Sequence, residues 1–134
     1  MLSGVGTHTI TASVTDGGSL SASDSIQVTI TTPPTNVVRV SAITYATSGN
    51  RGRDLVITVT VLNQSNAAVP NATVSLLING PTATYSGTLK TGSNGKASAK
   101  ISRAPSGYYT STVTALSAAG YTANTTTPPN GFTK

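Results

Sequence analysis

The chain has 134 residues, room for one sizeable domain and additional segments. It contains no Cys, which removes disulfides, zinc–thiolate sites and thiol chemistry together, and its formal charge of +5 reflects scarce acids more than a basic tract. No basic stripe with interleaved aromatics and no apolar run of membrane-spanning length occurs, so neither nucleic-acid binding nor membrane insertion is expected.

Thr and Ser make up almost a third of the residues, with 13 Gly and 7 Pro. That composition suits strands joined by turns and disfavours helix. Residues 1–15 lack a basic start followed by an apolar core, so no signal peptide is read there, and the opening Met1-Leu2-Ser3-Gly4 fits an artificial or internal start.

Residues 1–30 read as a β-hairpin. His8, Ile10, Ala12 and Val14 alternate with Thr and Ser, Asp16-Gly17-Gly18-Ser19 turns the chain, and Ile26, Val28 and Ile30 alternate on the return. Period two predicts one buried face per strand. Residues 31–36, with Pro33-Pro34, read as a semi-rigid linker able to hold neighbouring units roughly 15–20 Å apart.

Residues 37–134 read as a second, larger unit. A strand is expected near Val37–Tyr45, then a loop at Ser48-Gly49-Asn50. The clearest strand follows, with Leu55, Ile57, Val59 and Val61 on one side. After a turn at Asn63–Asn66, Val69–Ile78 places Ala72, Val74, Leu76 and Ile78 inward. Thr82–Thr91 is a weaker strand around Tyr85 and Leu89, and Gly92-Ser93-Asn94-Gly95 is a hairpin turn. Lys96–Ile101 returns with Ala97, Ala99 and Ile101 inward. Tyr109, Ser111, Val113 and Ala115 share the inward phase of the next strand, before a last short strand and a Thr/Pro tail. About seven short strands at regular spacing predict an all-β, two-sheet antiparallel sandwich of immunoglobulin-like type.

The stretches Asp54–Val61, Ala68–Leu76, Thr91–Ser98 and Pro105–Ala115 resemble a bacterial Ig-like module of the invasin/intimin type, a kind also appended to secreted subtilisin-like proteases. Gly6–Asp16 and Asp24–Ile30 resemble the last two strands of a PKD- or cadherin-like module whose earlier strands are missing. The resemblance implies fold more than function. A lone hairpin is marginal in water. Three explanations stay open: the chain is cut from a multi-module protein, the hairpin folds back on its own sandwich, or it completes a sheet of a neighbouring subunit. In the last case Ile10, Val14, Ile26, Val28 and Ile30 form the assembly interface.

Catalytic chemistry finds little support. His8 is the single His, on an alternating strand, and Asp16, Asp24 and Asp54 all read as structural. Asp16 and Asp24 are the one pair that could share a Ca²⁺ across the hairpin, but acidic ligands are too few, and no metal or cofactor is assigned. Lys90, Lys96 and Lys100 lack the carboxyl needed to assist an isopeptide bond to nearby Asn. Tyr45 and Tyr108 are candidate sugar contacts, with Tyr109 assigned to the core. Asn63, Asn71 and Asn124 head glycosylation sequons. The expectation is a non-catalytic extracellular or cell-surface structural module, partnered by further copies or neighbouring Ig-like modules. An accessory domain binding polysaccharide beside a secreted hydrolase is a second reading, and a virion-surface decoration module a third.

Overall fold

The computed structural model describes residues 4–31 and 36–134. The chain divides between residues 34 and 35 into two compact units. The central residues of the predicted linker, Thr32–Thr35, lie outside the described residues.

The first unit is a two-stranded antiparallel ribbon of β1 (Gly6–Thr15) and β2 (Ser21–Ile30). Its register is unbroken from Gly6↔Ile30 to Thr15↔Ser21. Because both strands alternate in phase, the pairs His8↔Val28, Ile10↔Ile26, Ala12↔Asp24 and Val14↔Ala22 share one face. The other face carries ten residues that are all Thr, Ser or Gln. Asp16 closes the turn: its Oδ1 accepts from the backbone N–H of Gly18 and of Leu20, both at 2.9 Å. The expected burial of the apolar face does not occur. Val14 is 68% and Ile26 62% exposed, because two strands supply no second layer to cover it.

The second unit is a sandwich of two four-stranded sheets. Its strands are β3 (Val37–Ser48), β4 (Asp54–Asn63), β5 (Thr73–Asn79), β6 (Thr84–Lys90), β7 (Lys96–Ile101), β8 (Tyr108–Ser117), β9 (Thr122–Asn124) and β10 (Phe132–Thr133). One sheet has the order β7-β4-β3-β9, the other β10-β8-β5-β6. Pairings are antiparallel except β3 with β9, which run parallel. Sequential strands thus cross between layers as in immunoglobulin-like sandwiches.

The core lies where the apolar stripes meet. Leu55, Ile57, Val59 and Val61 of β4 face Val74, Leu76 and Ile78 of β5, with Tyr109 and Val113 of β8, and all are buried. Tyr109 is fully buried, and its hydroxyl donates to the carbonyl oxygen of Pro105, four residues upstream, at 2.8 Å. A tyrosine at the start of this strand, bonded back to the corner before it, is the tyrosine corner of immunoglobulin-like domains. Gly80 is packed against that ring so closely that a Cβ would stand 2.7 Å from Cε1.

Two expectations need correction. β5 begins at Thr73, not Val69; residues 69–72 are buried but held by the Thr91 hydroxyl, which donates to Val69 O (2.7 Å) and accepts from Ala72 N–H (2.9 Å). Asn71, at φ 58°, stops the strand from starting earlier. In β8 the inward phase breaks after Val113: a register shift against β5 leaves Ala115 exposed and buries Leu116 instead. The Thr/Pro tail runs along the edge of β8.

Candidate functional site

No assembled catalytic constellation emerges among the described residues. His8 is half-buried on the ribbon, with Nε2 3.2 Å from Gly4 O. Asp16 and Asp24 do not share a site. Asp24 pairs with Ala12, four positions along β1 from Asp16, a separation of about 13 Å along the ribbon. Asp16 is spent on its turn, and Asp24 Oδ1 accepts from Ser25 N–H at 2.9 Å.

Asp54 is 2% exposed and is the only acidic side chain of the sandwich. Arg103 N–H donates to Oδ1 at 3.0 Å, Lys100 Nζ lies 2.9 Å from Oδ2, and Arg53 Nε lies 3.3 Å from Oδ1. The Arg103 amide first and Lys100 second hold its carboxyl down at about 2, against burial that acts the other way. Gly49 at φ 78° makes room, since a Cβ there would meet Asp54 Oδ2 at 2.8 Å. The carboxylate ties the β3–β4 corner to the turn after β7. The sequence pointed Lys100 toward an Asn; the fold gives it Asp54. An amide crosslink would need a protonated acid and a neutral amine, and no second acidic side chain in the sandwich favours those forms.

Of the two sugar-contact candidates, only Tyr108 is open, at 60% exposure. Tyr45 is half-buried. Its ring stacks on Phe132, centroids 5.8 Å apart and planes within 7°, and its hydroxyl bonds to Ser111 Oγ (2.8 Å) and Asn130 Oδ1 (2.7 Å). Burial raises the Tyr45 pKa, partly offset by the Ser111 hydrogen bond. The ring face a sugar would need is therefore occupied by the tail.

The tail covers the β8 edge by an unusual device. Pro128 and Pro129 have no N–H, so residues before β10 cannot continue a ladder. Asn130 stands where the antiparallel partner of Ser111 belongs, and its amide replaces the backbone: Oδ1 accepts from Ser111 N–H (2.7 Å) and Nδ2 donates to Ser111 O (2.8 Å). Thr127 Oγ1 accepts from Val113 N–H at 2.8 Å in the same way.

The sequon residues differ. Asn71 is exposed. Asn63 Oδ1 accepts from Ser65 and Ala67 N–H, both at 2.9 Å, and Asn124 Oδ1 accepts from Thr126 N–H at 2.9 Å, so both close local turns.

Among the described residues, two apolar surfaces lack a covering element. One is the apolar ribbon face that holds Ile10, Val14, Ile26, Val28 and Ile30; the last two are half-buried, the others exposed. The other is a cleft of about 310 Å³ at the seam where β6 and β7 end the two sheets. Leu76, Ile78, Tyr85, Leu89, Ala99 and Ile101 line it. Gly87 is its notch: it pairs with Leu76 on the inward phase of β6, and a Cβ added there would meet nothing within 4 Å. Sequence reading missed this cleft, although a lone Gly inside a strand marks a place of close approach.

No family matches the chain, and neither curated proteins nor solved structures yield a match.

Proposed function

We propose that this protein is a non-catalytic structural module of an extracellular or cell surface, joined to further copies of itself through its leading ribbon. One observation carries the reading: a ten-residue strand pair with an all-polar face and an apolar face that no described residue of its own unit covers. Two strands of that length present about 340 Å² per face. If ~250 Å² of it is apolar, burial contributes roughly 6 kcal/mol. That gain is comparable to the cost of association, roughly 4–15 kcal/mol, so apolar area alone makes the contact weak. The Thr/Ser-rich, Glu-free composition supports an exported setting.

Sedimentation velocity over a concentration series tests the reading. The wild-type chain is expected to gain mass as concentration rises, and Ile26→Lys to remain monomeric while keeping the same β-sheet circular dichroism. A wild-type chain that stays monomeric at every concentration would refute assembly.

A further inference from the structure

The assembly reading leaves open where the ribbon docks, and the inference here rests on it. We propose that the seam between β6 and β7 is the acceptor, and that the ribbon of a second copy adds to the free edge of β6 with its apolar face over the Gly87 notch.

Hydrogen bonding permits it. Among the described residues β6 pairs only with β5 and β7 only with β4, so each leaves an outward row of backbone donors and acceptors. A ribbon added to β6 satisfies one such row, the mode by which extended segments augment sheets.

Side-chain phase agrees. The inward residues of β6 are Tyr85, Gly87 and Leu89, and the outward ones Thr84, Ser86, Thr88 and Lys90. A ribbon continuing that sheet turns its Thr/Ser face outward beside them and its Ile10–Ile26 pair inward. Missing a side chain at Gly87, the cleft has space beside Leu76 for an incoming one.

Charge selects the occupant. Residues 1–35 contain Asp16 and Asp24 with no Lys or Arg, a formal charge of −2; residues 36–134 hold all eight basic residues and Asp54, a formal charge of +7. Lys90, Lys96 and Lys100 lie on the two edge strands and Arg103 follows β7; of these Lys100 lines the cleft, with its Nζ bonded to Asp54. Asp24 sits on the apolar face itself, so the docking face carries the sign that the cationic rim attracts.

The test uses full-length chains in sedimentation velocity. Gly87→Glu places an inward-pointing charge of the same sign as Asp24 in the notch, a position open enough to leave the fold intact, and Gly87→Gln is its uncharged counterpart. Both are expected to abolish association while unfolding cooperatively as the wild type does. Mixing Gly87→Glu, which keeps its ribbon, with Ile26→Lys, which keeps its seam, is expected to restore a dimer and nothing larger. The seam assignment is overturned if both Gly87 variants associate like the wild type, or if the mixture stays monomeric while the wild type assembles. A wild type that is itself monomeric defeats the assembly reading first, and the seam assignment with it.

Discussion

Asn130→Ala should cost this sandwich more than any other change to an incompletely buried Asn, because the amide replaces a backbone partner. Its four hydrogen bonds go to Ser111 N–H and O, Tyr45 Oη and Pro128 O, at 2.7–2.9 Å. Each ordinary bond is worth about 1 kcal/mol net. Ser111 is 3% exposed, so its amide is left without an easy route to water, a penalty of roughly 1–3 kcal/mol. Water reaches the Pro128 side, and the sum is best placed at about 2–4 kcal/mol. For a domain of this size that lowers the melting temperature by roughly 10–20 °C. Urea unfolding followed by circular dichroism measures it. Asn124→Ala, which removes one exposed turn contact, serves as the control and should cost under about 1 kcal/mol. A double-mutant cycle with Tyr45→Phe should show coupling of at least about 0.5 kcal/mol, since the two side chains touch. A loss below about 1 kcal/mol for Asn130→Ala would refute the claim that this amide holds the β8 edge.

Two further outcomes follow from the same geometry. Thr91→Val keeps the shape but removes both hydroxyl bonds and leaves Ala72 N–H buried, so urea unfolding should show a loss of about 2–3 kcal/mol, against near zero if water replaces the hydroxyl. Asp54 has its folded pKa lowered from 3.8 to about 2, so its stabilisation is complete above the unfolded pKa and fades as pH falls through that window. Wild-type stability should therefore decline more steeply than that of Asp54→Asn between pH 5 and about pH 2; parallel acid limbs in urea titrations would show that the carboxylate is not the cause.

Sequence periodicity located the interior well wherever one strand alone decides its phase. β4 is the plain case, with Leu55, Ile57, Val59 and Val61 fully buried as their alternation implies. It failed where a neighbour decides. The shift near Ser75 and Leu76 is a property of the β5–β8 pair, and no pattern within Tyr108–Ser117 announces that Leu116 replaces Ala115. The tail was illegible for another reason. Pro128 and Pro129 cannot extend a ladder, but side-chain amides and hydroxyls can stand in for backbone groups, a substitution visible only once Ser111 and Asn130 are opposite each other. Tyr45 was misread as a surface platform because its cover, Phe132, lies 87 positions on and arrives through that same tail. The seam was hidden in the weakest strand, where Gly87 reads as a blemish rather than a vacancy over Leu76.

The sandwich treats its edges unequally, and that inequality bears on how copies could join. Tail side chains occupy the β8 edge, and β9 covers part of β3. On the β6–β7 side no further described strand pairs, and Lys90, Lys96 and Lys100 lie on those two strands; edge lysines are a common guard against edge-to-edge aggregation. A lysine guard repels neutral and cationic strands by desolvation or like charge, but it does not repel a strand pair with two acids and no base. Residues 1–35 have that composition, so on the proposed docking the guard would act as a filter for the ribbon. Symmetric pairing of two ribbon faces would bury about 340 Å² per partner, well short of the ~800 Å² of a stable two-fold contact. Ribbon into seam adds backbone bonds to that area and uses different patches on the two partners. Such a heterologous contact closes into a ring or continues as a filament, with one donor and one acceptor per chain.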